Sequence, residues 1–359
     1  MKKSCILLMT LILCLCAGCS SQPAPDASQT RPETNLFETQ VNSVNRAFVA
    51  ETDLFRYVAA LNQGLAEIDK ESGEIVWYPE RDSMFDLAVL NDGRIVYEVL
   101  DYQANTGIAM IQVVADDLYG NTEVLFEFED GFIMNQSVVG EYLYSYTNNL
   151  DLVRTNLSNG KSETILTTES LAQYMLVDES GVWYSDEYGL YFWNWDADNV
   201  QLVIDEPVGY IQKIDNTICF LIHGKNGIYA YDIESAEYNL VYDLDVSLFV
   251  ITEDKKTLYA VEQTGKSLFR FDIVTGQRNS FVIPCEYVTD FNIINGQVYV
   301  LGYSRAASYD EFDKYFTMRI EDDQVYQIGR TAKAHEIRPF PALCAPEEAF
   351  PFVSKTAFR

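Results

Sequence analysis

Residues 65–77 read LAEIDKESGEIVW: an apolar stretch ending in Asp69, a Ser72-Gly73 turn, and a second apolar stretch ending in Trp77. Two short strands joined by an Asx/Gly turn form a hairpin. The first half of this unit returns at 152–156 (LVRTN), 190–194 (LYFWN), 228–232 (IYAYD) and 268–272 (LFRFD), with weaker copies at 110–114 (MIQVV) and 317–321 (TMRIE). The seven starts, at 65, 110, 152, 190, 228, 268 and 317, lie 38 to 49 residues apart. A period of about 40 residues marks a repeat architecture, in which each unit buries its apolar face only against its neighbours.

Each copy has the same surroundings. Aromatic-rich apolar runs precede it, as at 95–97 (IVY), 143–146 (LYSY), 182–184 (VWY), 258–261 (LYAV) and 298–301 (VYVL). Other apolar runs follow it, as at 124–126 (VLF), 164–166 (TIL), 202–204 (LVI) and 240–242 (LVY). A fourth strand is read in 174–177 (YMLV) and 291–294 (FNII). Four strands in about 40 residues, repeated radially, make a β-propeller blade. Many runs are apolar at consecutive positions, as sheets buried on both faces require. Asp69, Asn156, Asn194, Asp232 and Asp272 then read as turn initiators, whose side chains bond backbone amides two residues on. No long stretch carries a helical stripe. The expectation is an all-β, seven-bladed propeller of four-stranded blades, beginning near Val41 and ending near Arg330.

With Asp69, Ser72-Gly73 and Trp77 on matching positions, residues 65–77 resemble the repeat of quinoprotein-type propellers, and 268–276 repeat the Asp and Thr-Gly part. Residues 181–205 instead look like the YWTD-like propeller domains of bacterial surface lipoproteins. The resemblance spans roughly residues 48–330 and implies fold; activity does not follow from fold. Quinone-cofactor enzymes of this kind typically use adjacent cysteines, and this chain has no Cys-Cys pair.

Before the repeats, Met1-Lys2-Lys3 is a basic start, 6–15 is mostly apolar, and Cys16-Ala17-Gly18-Cys19 closes the run with small residues. This order matches a secretory signal peptide, residues 1–18, and the run is too short to span a bilayer. It also resembles the lipobox of bacterial lipoproteins, with Cys16 where that family usually has Leu. The resemblance implies cleavage before Cys19 and lipid attachment there; stable anchoring takes more than one acyl chain. Residues 20–35 (SSQPAPDASQTRPETN) have linker composition and extended reach about 50 Å. The expected domains are thus 1–18 signal peptide, 19–35 lipidated N-terminus and flexible linker, and 36–359 propeller. Residues 331–359 hold four prolines. They are expected to run as an irregular strap, adding at most a short edge strand near 349–353 to a first blade otherwise supplied by 46–60.

Removing 1–18, which holds Lys2 and Lys3 and no acid, takes the net charge from −29 to −31. A chain this acidic repels nucleic-acid backbones and anionic membrane surfaces. Hydrophobic content of 48%, with 24 Tyr and 20 Phe, provides a large, strand-favouring core. Cys219 lies in the apolar run 218–222 and reads as a small buried hydrophobe. A Cys285–Cys344 disulfide is left open in an exported protein.

Chemical motifs are sparse. Residues 263–267 (QTGKS) end like a phosphate loop, but Ala260 stands where its first Gly belongs and a strand follows, so this is a hairpin. Only His223 and His335 exist. Acids pair at Asp82/Asp86, Asp116-Asp117, Asp178-Glu179, Asp186-Glu187, Asp310-Glu311 with Asp313, and Asp322-Asp323; most read as solvated loop charges. The aromatic patch of Trp183, Tyr184, Tyr188, Tyr191, Trp193 and Trp195 reads as blade packing rather than sugar stacking.

No catalytic, cofactor-binding or metal-ligating residue is assigned; Cys19, as lipid attachment, is the one site residue. The expected function is an exported, lipid-anchored binding or scaffold module outside the cell. Its partners would be the membrane through the lipid and an extracytoplasmic protein, peptide or carbohydrate, not nucleic acid. A carbohydrate-active hydrolase or lyase, or a cofactor-dependent oxidoreductase, is the alternative, favoured by paired acids of raised pKa at the channel mouth. An envelope-assembly lipoprotein is a further alternative. A transporter's solute-binding lipoprotein would need strand–helix alternation, which is lacking.

Overall fold

The computed structural model describes residues 35–60, 63–81, 86–90, 92–103, 108–129, 131–305, 314–329 and 338–339. Seven antiparallel sheets follow one another along the chain, each with its strands in sequence order from first to last. Blade I comprises Val49–Glu51, Phe55–Ala60, Gly64–Asp69 and Ile75–Tyr78. Blades II to VII begin with the strands Ala88–Val89, Ile133–Val139, Tyr174–Val177, Val208–Ile214, Val246–Ile251 and Tyr287–Ile294. These first strands touch one another in cyclic order, and the first strand of blade VII touches that of blade I. The ring therefore closes at seven, as the repeat count requires.

All seven copies of the sequence pattern are third strands, at the same place in each blade. Asp69 Oδ1 accepts from the amides of Glu71 and Ser72, and Asn156, Asn194, Asp232 and Asp272 accept from amides two or three residues on. First and second strands are the most buried; fourth strands such as Thr122–Glu129 and Asn199–Ile204 are largely exposed. That gradient places the first strands at the axis.

The sequence expectation that blade I begins near Val41 is corrected. Leu36–Val44 is an α-helix, α1, capped by Asn35, whose side chain accepts from Glu38 N at 3.4 Å. It stands in the central channel against the first strands of blades III, IV, V and VII. An innermost strand has one unpaired edge, and its backbone groups must find partners. Amide side chains supply them. Asn42 pairs with both backbone groups of Ile293, Gln40 donates to Val177 O at 3.0 Å, and Asn135 donates to Ser43 O and Met175 O. Between blades, Gln212 bonds both backbone groups of Ile251. Val41 and Val44 complete the plug against the core of blades IV to VII.

The closure expectation is also corrected. Among the described residues blade I takes four strands from 49–78, so 46–60 supplies only two of them. Among the described residues, the junction with blade VII is held by side chains. Asn292 Oδ1 accepts from Phe48 N and Val49 N, Thr317 donates to Ala59 O, and Arg56 donates to Tyr299 Oη. Arg338–Pro339 pairs with the outer strand of blade VII, Gln324–Ile328, rather than with blade I. The strand expected near 349–353 lies outside the described residues, as do Cys19 and Cys344.

Candidate functional site

The two ends of the channel differ. At the start of α1, Asn35 donates to Glu253 and Glu38 accepts from Gly296 N. Glu253 and Gly296 lie in hairpins that follow the first strands of blades VI and VII, so α1 begins on the hairpin face. The helix then runs alongside the blade VII strand in the opposite direction, meeting Ile293 at Asn42 and Asn292 at Asn45. The chain leaves at Arg46, exposed and with φ 48°, before turning into blade I. This end belongs to the crossover face, where the chain passes from one blade to the next.

Four groups gather around the Arg46 end. Asp86 stands in the crossover from blade I to II, with φ 56° and only 3% of its surface exposed. Its main-chain oxygen accepts from Gln136 Nε2 at 2.9 Å, but its carboxylate Oδ1 has no hydrogen-bond partner. Burial pushes this carboxyl up to about 8, against the pull of Arg46 and with the help of Glu98 and Asp290. Asp290 lies early in the blade VII inner strand, where a bulge interrupts the ladder between Val288 and Asp290. Burial raises it to about 6, opposed by a hydrogen bond from Thr289 and by Arg46. Glu98, in the second strand of blade II, accepts from Ile133 N at the start of blade III, and burial raises its pKa too. Tyr174, at the start of blade IV, feels both Asp290 and Arg46 and is packed edge-on against Tyr210. Thr289 is exposed and Asp290 and Tyr174 are half-buried, so solvent reaches the site.

Of the nine paired acids that are described, five are exposed or part-exposed, as expected, and four depart from that reading. Asp86, Asp116, Asp178 and Asp186 are all buried. Three of them are structural. Asp116 takes Arg81 and Tyr97, and Asp178 takes Lys213, Ser180 and Trp183 Nε1. Asp186 takes Ser170 and the amides of Tyr188 and Gly189. Of these four, only Asp86 combines burial with an unpartnered oxygen; elsewhere Glu67 Oε2 is also buried and unpartnered. Arg46, Glu98, Asp290 and Tyr174 were not singled out in the sequence, and nothing in the run YVTDFNII marks Asp290 as part of a site.

The remaining motifs fall where expected. Residues 263–267 form a hairpin turn, with Gly265 at φ 73°, and His223 is exposed in the turn before Ile228–Asp232. Cys219 is fully buried, and Cys285 is a free thiol among the described residues. Trp183 stacks on Phe192 at 4.4 Å and reaches Tyr231 of blade V, while Tyr144 of blade III meets Trp195; Tyr188 alone of the patch is strongly exposed.

No family model matches the chain, and comparison with curated proteins finds no relative. Solved structures do resemble it. The WD40 propeller domain of Doa1 aligns with a TM-score of 0.51 at 10% identity, over 69% of this chain and 86% of that one. Oligogalacturonate lyase from Vibrio parahaemolyticus gives 0.45 at 12% identity, over 75% and 92%. A nidogen/laminin complex gives 0.43 at 9% identity, over 77% and 88%. At such identities the Doa1 likeness speaks for fold alone, and it agrees with the ring built above from residue contacts: the chain is a seven-bladed β-propeller.

Proposed function

We propose that this protein is an exported, lipid-anchored binding module whose ligand sits at the crossover-face mouth of the channel. One observation carries the reading. α1 fills the channel from the hairpin face and stops short of Arg46, leaving a solvent-reached cluster of charged groups at the other end. The described chain starts at Asn35 on the hairpin face, the end opposite the mouth, which is compatible with anchoring through Cys19. Binding residues concentrate on loops held by a rigid scaffold, as here. Two measurements test it. Cys19→Ser should release the protein from membranes while the domain still folds; unchanged membrane attachment contradicts the anchor. Thr289→Trp, which adds bulk beside Asp290, should abolish capture of envelope components that the wild type retains; equal capture by both moves the site elsewhere.

The enzyme alternative has one observation in its favour. Two carboxyls of raised pKa, Asp86 and Asp290, share the mouth, and a general acid near neutrality requires such a shift. Asp290, being half-exposed, would be the acid of a carbohydrate-active hydrolase or lyase. Turnover of an oligosaccharide panel that is lost in Asp290→Asn would establish it; no turnover by the wild type leaves binding without catalysis.

A further inference from the structure

We infer that the mouth takes an organic cation, a primary or polyammonium group held among Asp86, Glu98 and Asp290. The inference rests on the reading of the mouth as the binding site and names the chemistry of its ligand. Among the described residues three carboxyl groups and one guanidinium gather there, so the site is short of positive charge once its acids ionise. Independently of that balance, Asp86 Oδ1 is buried and lacks any hydrogen-bond partner. A buried oxygen of this kind costs about 1 to 3 kcal/mol while it stays unsatisfied. A donor arriving from the mouth would satisfy it.

The lining selects the type of ligand. Carboxylates are acceptor-only when ionised, and an ammonium offers three donors and no acceptor. A metal ion needs several ligand atoms converging on one point. Among the described residues no group of three His, Cys, Asp or Glu side chains is so placed. The acids of the mouth come instead from separate blades, II and VII, and from the crossover before blade II. A chain bearing several spaced amines matches that spread, and the half-buried ring of Tyr174 offers an aromatic wall for its methylenes or its charge. The net charge of −29 draws cations toward the molecule from a distance.

Binding and protonation are then coupled. The charged and titratable groups that face the site are Arg46, Glu98, Asp290, Tyr174 and Tyr210. Burial keeps Asp86, and in part Asp290, protonated near neutrality. A bound ammonium favours their ionised forms, so its arrival expels protons, and affinity rises with pH.

Spermidine is the probe. The purified full chain is titrated by calorimetry at about pH 6 and about pH 8.5, in buffers of differing ionisation enthalpy. The expected result is saturable binding that tightens about tenfold or more across that range, with net proton release. Asp86→Asn and Asp290→Asn should each weaken it about tenfold while still unfolding in one cooperative transition. Should Asp86→Asn fail to fold, Asp290→Asn and the proton count still decide. Absence of saturable heat at either pH overturns the inference, and so does binding that neither substitution changes. If spermidine is ignored while Thr289→Trp still abolishes capture of an uncharged envelope component, the cation inference falls and the binding reading stands.

Discussion

Asn42 and Ile293, 251 positions apart in the chain, exchange a closed pair of hydrogen bonds: Asn42 Nδ2 donates to Ile293 O at 2.8 Å, and Ile293 N donates to Asn42 Oδ1 at 2.6 Å. The amide side chain thus behaves as a short piece of neighbouring strand on the inner edge of blade VII. Asn42→Ala should cost about 2 to 4 kcal/mol, because two buried backbone groups lose their partners together. Urea unfolding gives the number, and hydrogen exchange at the Ile293 amide should accelerate. A cost under about 0.5 kcal/mol would mean that water replaces the clamp.

Lys213 of blade V reaches across to Asp178 of blade IV, which also accepts from Ser180 and Trp183 Nε1. Burial pushes this carboxyl up, but the bonds from Lys213 and Ser180 outweigh it and hold it below the ordinary aspartate value. Its contribution is therefore present above the unfolded pKa and lost as pH falls through the lower folded value. Lys213→Met should cost about 2 to 3 kcal/mol at neutral pH, reduced from a fully buried pair because the lysine is partly exposed. Adding Asp178→Asn should recover part of the loss, which a double-mutant cycle measures.

Asp86 has the opposite sign. Its folded pKa of about 8 lies above the unfolded value, so the folded state holds its proton more tightly. The stability it confers is complete below the unfolded pKa and drains away as pH rises toward 8. Asp86→Asn removes that slope. Its melting temperature should fall less than that of the wild type between about pH 5 and pH 8.5, and it should be the more stable protein at the upper end. Parallel curves would show that Asp86 is ionised throughout.

Gly64 and Gly73 separate backbone strain from crowding. Both have positive φ, 112° and 73°, but a Cβ at Gly64 would lie 2.4 Å from Tyr78 O and 2.7 Å from Pro79 Cα, whereas at Gly73 it meets nothing. Gly73→Ala should cost about 1 kcal/mol, the usual price of a left-handed alanine. Gly64→Ala should cost more than twice as much, because the outer strand of blade I must shift. Equal costs in denaturant melts would show that the strand yields easily.

The parts of the fold that repeat were legible in the chain. Seven similar third strands at one period determine the blade count, and Asp69 or Asn156 announces its turn because an Asx side chain has few other uses after a strand. α1 was not legible. Its buried residues include Gln40, Asn42 and Ser43, since its neighbours are the polar edges of strands and not an apolar layer. A helix that buries amides shows no apolar stripe. The mouth escaped for a related reason. Asp86 and Asp290 look like any other acids in a chain with 54 of them, and only the ring brings them together beside Arg46.

The position of α1 also sets a load path. A pull on the segment before Asn35 runs along the axis of the ring, not across its rim. Gln40, Asn42 and the Ser43 carbonyl pass the force to blades IV, VII and III at once, so their bonds are loaded in parallel and sheared together. None of these three blades carries the load alone.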